Sequence, residues 1–427
     1  MGISLNSKIA LIGNTCNNNF SIMRYFRTLG TEAHLLLYSN EGLSNSNPIH
    51  NPEWDTWEID KWLPFIHRLP IPHGIQGVVG RPDRLILRPT KQELLDIFKG
   101  YDKYIGSGIT PSLFERINKS LDIFYPHSLG VEWVGDDGTI ELLNKINIQW
   151  PFRWYVKKMQ LRGISSAKIT VNASMDYTKD VLIQNGISFK TKYIPQVYNI
   201  EEIPKVVTDD TLNSLVSNLS SSSLTVFAPM RQYWGEKRDS KNTDWLIIGF
   251  AKFIKSYPLS NAKLILVDWG DNALNSRALC NDLNIYSNVI WLPLLKRRQI
   301  LWILSHCCDI AAGQFNTTPG QIWASTGWEA LAMGTPLMQS VNFSSLEYQK
   351  LFNHELPYIL DVKSTEDIYN NLLNIYKNKN LIKKLSFLNR KWFNTHNGIG
   401  LANEWLSLLN IKPRFSIRGE FKHEVQL

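Results

Sequence analysis

Two cations and a carboxylate are the residues whose types and spacing first suggest chemistry. Arg231 and Lys241 flank a polar turn that follows a short apolar run. A planar guanidinium and a compact ammonium are the side chains that hold phosphate oxygens best. Lys237 and Arg238, on the same turn, compete for that role. Further along, Ser325-Thr-Gly327 immediately precedes an apolar stretch of helical period, so its backbone amides and the helix dipole would favour an anion. Glu329 follows, with two readings open. In the series Thr326-Gly-Trp-Glu329 it fits a capping box and satisfies only the helix terminus; as a free carboxylate it accepts from a pair of ligand hydroxyls.

The first half of the chain offers fewer such groups. His127 follows the apolar run Leu121–Tyr125, at the strand end where ligands collect in open α/β sheets. Gly13 and Asn14 occupy the first strand-to-helix turn, although glycine there is also good turn chemistry. Without a GxGxxG series, a dinucleotide site is not indicated. His306, Cys307 and Cys308 lack a spacing that could hold a metal, so they read as packed residues. The stretch Trp150–Arg162 mixes aromatics with four cations, which suits contact with an anionic lipid surface or an ordinary surface helix. No motif of a nucleic-acid-binding module accompanies it, so nucleic acid is not an expected partner.

These groups need a scaffold. At 427 residues the chain exceeds what one core supports, so two domains are expected. An apolar share of 44% with 20% charged residues is that of a globular protein. The net charge of +8 suits polyanions, anionic membranes or phosphorylated small molecules without choosing among them. Four cysteines without a CxxC pair favour a reducing compartment. Met1–Ser7 is polar and unlike a signal peptide, and the longest apolar runs fall far short of a bilayer span, so a cytoplasmic protein is expected.

Lys8–Gly13, the amphipathic Phe20–Leu29 and Ala33–Tyr38 read as a βαβ unit, which implies a parallel sheet. Strands at Tyr101–Gly106, Leu121–Tyr125 and Lys168–Val171 extend it, while 45–89, rich in proline and tryptophan, reads as irregular. Thr208–Ser223 has the composition of a linker. Beyond it, strands at Leu224–Ala228, Lys263–Val267, Asn288–Leu292 and Asp309–Ala312 alternate with helices. The expected organisation is a Rossmann-like domain over 1–205, a linker over 206–223, a second Rossmann-like domain over 224–388, and a segment 389–427 whose helix crosses back toward the first.

The second half resembles the family-4 glycosyltransferases. That family carries a strand, an arginine, a lysine before the first helix, and a Glu-x7-Glu motif followed by Ala-x-x-x-Gly-x-Pro. Here the same order is Leu224–Ala228, Arg231, Lys241, then Glu329-Ala-Leu-Ala-Met-Gly-Thr-Pro336. Ser174 and Ile194-Pro195 resemble positions near the end of the family's first domain, so the likeness runs from about residue 8 to 409. One position departs: Gln321 stands eight residues before Glu329, where the family has its first glutamate. An amide still hydrogen-bonds a sugar hydroxyl.

The resemblance implies a GT-B fold, two doubly wound domains facing across a cleft, and transfer of a sugar from a UDP- or GDP-sugar to a saccharide or lipid-linked saccharide. It implies retention of configuration, a role in cell-surface polysaccharide synthesis, and no required metal or other cofactor. Arg231 and Lys241 would hold the diphosphate, Glu329 the ribose, Gln321 the sugar, and the amides of Ser325, Thr326 and Gly327 a phosphate. His127, with Gly13 and Asn14, would lie by the transferred sugar. A nucleotide-sugar epimerase of the same fold and a degenerate nucleotide-binding subunit are the competing readings.

Overall fold

The computed structural model describes residues 7–39, 41–43, 48–71, 89–126, 150–173, 177–235, 240–315 and 324–415. It divides into two compact units, Met1–Tyr198 with Asn397–Leu427, and Asn199–His396. The expected α/β class holds in both.

In the first unit, strands β1 (Lys8–Ile12), β2 (Glu32–Leu37), β3 (Ile66–Arg68), β4 (Lys103–Gly106), β5 (Ile123–Phe124) and β6 (Ile169–Thr170) form one sheet in the order β3-β2-β1-β4-β5-β6. All pairs are parallel, with Ile9 opposite Ala33 on one side and Lys103 on the other. Ile9 to Ile12 are fully buried, as continuous apolar strands covered on both faces must be. The helices are α1 (Asn18–Thr28), α2 (Ile59–Trp62), α3 (Lys91–Ile97), α4 (Thr110–Arg116), α5 (Trp150–Ser166) and α6 (Tyr177–Gln184). The described part of 45–89 is less irregular than its composition suggests. It holds α2 and the edge strand β3, the strand bounded by Pro64 and Pro70, which cannot donate to a ladder.

The second unit repeats the plan. Strands β7 (Thr225–Ala228), β8 (Lys263–Val267), β9 (Val289–Leu292), β10 (Ile310–Ala312), β11 (Leu337–Gln339) and β12 (Ile359–Asp361) run parallel in the order β12-β11-β10-β7-β8-β9. Its helices are α7 (Asp210–Leu219), α8 (Thr243–Ser256), α9 (Ala273–Asp282), α10 (Arg297–His306), α11 (Ser325–Met333), α12 (Ser345–Phe352), α13 (Thr365–Lys377) and α14 (Lys379–His396). Helix α7 corrects the reading of 206–223 as a linker. Asp209 caps it, accepting from the Leu212 amide at 3.2 Å, and Leu212 and Leu215 are buried at helical spacing.

The terminal helical stretch is two helices rather than one. After α14, the chain leaves the second unit at Asn397 and forms α15 (Ile399–Leu408) in the first. Trp405 on α15 is wholly buried, and its indole donates to the Tyr193 carbonyl at 3.1 Å.

Candidate functional site

In each sheet the strand order reverses once, between β1 and β4 and between β10 and β7. The carboxyl ends of strands at such a reversal open onto a crevice, because the connecting helices on its two sides lie on opposite faces. The loops at the second reversal carry Arg231 and Lys241, and Glu329 lies on the helix that follows β10.

After β7 the chain runs through Arg231 to Lys241. Arg231 is half-buried, with its guanidinium 4.7 Å from the centre of the Tyr233 ring. The turn is fixed by the neighbouring loop after β8. Gln232 donates its amide to the Trp269 carbonyl at 2.8 Å, and its own carbonyl accepts from the Asn272 amide at 3.1 Å. Gly270, at φ +107°, lets that loop approach: a Cβ there would lie 2.5 Å from the Gln232 carbonyl oxygen.

After β10, Gly313, Gln314 and Phe315 lie beside Lys241. The Phe315 amide donates to the Lys241 carbonyl at 3.1 Å, and the Asn242 carboxamide donates to the Phe315 carbonyl at 2.9 Å. The Lys241 ammonium donates to the Gln314 side-chain oxygen at 2.6 Å. Gln314 is nearly buried. Sequence reasoning missed it, since a lone glutamine after a strand carries no spacing signal.

Helix α11 starts at Ser325, so Ser325, Thr326 and Gly327 form its first turn instead of preceding it. The Gly327 amide closes that turn onto the Ala324 carbonyl at 2.9 Å, which leaves Ser325 and Thr326 as the leading donors. Glu329 makes no capping box. Its Oε1 accepts from Nε of Arg297, the first residue of α10, at 2.9 Å, and the two side chains are only 5% and 13% exposed. Arg297 is the second residue that sequence reasoning missed, because its partner lies thirty-two positions away.

Buried acceptors also collect around this reversal. Among the described residues, Oε1 of Gln232, Oδ1 of Asp244 and Oε1 of Gln339 have no hydrogen-bond partner. Burial raises the Asp244 carboxyl above its usual range.

The first reversal is filled by its own chain. Gly13 takes φ +77°, and a Cβ there would meet the Tyr38 ring at 3.2 Å. The Asn14 amide donates to Oε1 of Glu41 at 2.6 Å, while its carboxamide donates to the Asn17 side chain and to the His50 carbonyl. Asn14 and Glu41 are fully buried, and Asn17 continues the network to Asp55. Burial pushes the Glu41 carboxyl up to about 7 against the lowering effect of its two amide donors, Asn14 and Tyr38.

His127, Ser174, Lys237, Arg238 and Gln321 lie outside the described residues. Among those described, no cluster of His, Cys, Asp or Glu could hold a metal, and no helix is long and apolar enough to cross a membrane. Burial raises the thiols of Cys307 and Cys308, which are partly buried, but His306 is exposed with its ring stacked on Trp302, which corrects the reading of it as a packed residue.

Two Rossmann-like units with these sheet orders define the GT-B class of fold. Among solved structures, the chain is similar to the Anabaena protein Alr3699/HepE in complex with UDP and glucose, at 13% identity and a TM-score of 0.54, over 94% of this chain and 98% of that one. It is equally similar to WaaG, a glycosyltransferase involved in lipopolysaccharide biosynthesis, at 13% identity and a TM-score of 0.54, over 94% and 99%. A protein described as a UDP-N-acetylglucosamine 2-epimerase, from Listeria monocytogenes, is similar at 12% identity and a TM-score of 0.51, over 95% and 96%. No family model and no curated protein matches the sequence.

Proposed function

We propose that the protein is a glycosyltransferase that takes its sugar from a nucleoside diphosphate sugar, with uridine or guanosine as base. The observation that carries this reading is the meeting of the Arg231–Lys241 turn and the Gln314 loop at the strand reversal of the second unit, with Glu329 on the helix that follows. Phosphate is the ligand such cations suit, and in transfer the departing nucleoside diphosphate develops charge that they stabilise. Glu329 takes the ribose hydroxyls, and the leading amides of α11 take a phosphate. These groups supply the charge stabilisation that a metal would otherwise provide, so transfer proceeds without one. Gln321 holds the transferred sugar, and configuration is retained. UDP and glucose bound in the Anabaena structure support the donor class.

The acceptor is a saccharide or lipid-linked saccharide of a cell-surface polymer. Helix α5 supports an anionic membrane as its setting, since Trp154 and Tyr155 are exposed and the Lys158 ammonium lies 4.8 Å from the Trp154 ring.

Thermal shift with UDP, GDP and ADP, then nucleoside diphosphate release from the matching sugars with and without acceptors, tests the reading. Release that requires an acceptor supports transfer. Interconversion of the donor sugar without any acceptor supports the epimerase reading that the Listeria likeness favours, and binding without turnover supports a degenerate subunit.

A further inference from the structure

The first turn of α10 is electrostatically misplaced. Lys296, Arg297 and Arg298 put three cations in succession at the positive end of a helix dipole, where the last turn would suit them better. Cations there destabilise the helix. A need beyond helix formation therefore keeps them in place. Arg297 has a visible one, because its guanidinium meets the carboxylate of Glu329 at 2.9 Å with both side chains largely withdrawn from solvent.

A charged partner helps a carboxylate this buried to stay ionised, and the ionised form offers both oxygens as acceptors, whereas protonation turns one of them into a donor. Among the described residues, the elements packed on α11 bring few other cations toward Glu329. Helix α14 brings Arg390 against Gly334, at the far end of α11, and burial depresses that guanidinium. The indole of Trp392 and the ring of Phe393 lie against Trp328. Strands β10 and β11, which also pack on α11, carry no ionisable side chain. The only cations that α10 brings are Arg297 and its neighbour Arg298.

We propose that Arg297 is the positioning residue of the donor site, holding Glu329 ionised and in one orientation to receive the ribose of a nucleoside diphosphate sugar. The inference rests on the donor-site reading given above. Arginine suits the task because its charge persists at every working pH and its planar donors fix direction as well as charge. A lysine in its place keeps the charge and loses the direction.

The test is calorimetric titration with UDP-glucose, GDP-glucose and ADP-glucose, whose diphosphates do not titrate between pH 6 and 8.5. The wild type is expected to bind one of them with an affinity nearly flat across that range. Arg297→Met is expected to weaken binding about 10–100-fold at pH 6 and to recover much of the loss toward pH 8.5, because a buried carboxylate deprived of its guanidinium takes up a proton more readily as the pH falls. Arg297→Lys should stay within about tenfold of wild type, with little pH dependence. Melting temperatures establish that each variant is folded, and Arg297→Met/Glu329→Gln, which removes both charges, serves where the single variant does not fold. That double variant should bind weakly with no pH dependence. Wild-type protein that binds none of the three donors overturns the donor-site reading and this inference together. Wild-type binding with an unchanged affinity and pH profile in Arg297→Met, or strong binding by the double variant, overturns the inference alone.

Discussion

The Lys241 ammonium stands 2.6 Å from the side-chain oxygen of Gln314, and the backbones of their two loops are bonded to each other at Phe315. A flexible four-carbon stem is thereby directed from a nearly buried anchor. If this ammonium serves the diphosphate, Lys241→Ala should weaken nucleoside diphosphate binding by about 10–100-fold, the value of one or two charge-assisted bonds. Affinity for the bare nucleoside should not change. Gln314→Leu keeps the charge and releases its direction, so a loss below about tenfold is expected. Titration calorimetry with nucleoside and nucleoside diphosphate checks both, and equal losses for the two ligands in Lys241→Ala would remove the lysine from the phosphates.

A pH effect is expected from Glu41. Its carboxyl is raised to about 7 in the folded protein, against about 4.5 unfolded. A raised carboxyl binds its proton more tightly when folded. Its stabilisation is therefore complete below about pH 4.5, falls as the pH rises, and is gone above about 7. The amplitude is on the order of 3 kcal/mol. Hydrogen exchange of the segment around Asn14, corrected for intrinsic rates, should show opening become easier across that window. Glu41→Gln should flatten the profile. A wild-type profile as flat as that of the variant would remove the raised carboxyl as its cause.

Much of the scaffold was legible because parallel strands announce themselves as short apolar runs. Ile9–Ile12 and Leu264–Val267 are such runs, and both are buried. Composition misled at α7, where Ser, Asn and Thr resemble a linker but Asp209 and the Leu212–Leu215 pair suffice to make a helix. The site was legible only as single residues. Arg231, Lys241 and Glu329 stood out by type and order, whereas their partners Gln232–Trp269, Lys241–Gln314 and Arg297–Glu329 are joined by the sheet order and leave no local pattern. The polar network of Asn14 was hidden for the same reason, since Glu41 and His50 reach it from a different part of the chain.

Gly270 separates a positional glycine from a merely permissive one. Gly270→Ala forces a Cβ to within 2.5 Å of the Gln232 carbonyl oxygen at a φ of +107°. The loop that sets Arg231 must then move. A loss of roughly 2–4 kcal/mol in stability and a fall in nucleotide affinity are expected together. Gly186→Ala is the control: its φ is +67° with nothing within 4 Å, so it should cost about 1 kcal/mol and leave binding intact. Thermal unfolding and nucleotide titration of the two variants decide the matter, and equal behaviour would mean that the approach to Gln232 carries no consequence.

Stability and binding should separate at Glu329. Removing one member of a largely buried ion pair leaves the other charge uncompensated, at a cost of roughly 3–5 kcal/mol, whereas removing both is close to neutral. Glu329→Ala strands the Arg297 guanidinium and should lower the melting temperature markedly. Glu329→Ala/Arg297→Met should recover most of that loss, because both charges of the pair are gone. Donor binding follows a different rule. A ribose needs the acceptor oxygens of Glu329 themselves, which neither variant possesses, so the more stable double variant should bind no better than the single one. A purely structural pair predicts instead that binding returns with stability. Measuring melting temperature and donor affinity on the same four proteins, wild type and Arg297→Met included, separates the two accounts through the sign of the coupling in each quantity.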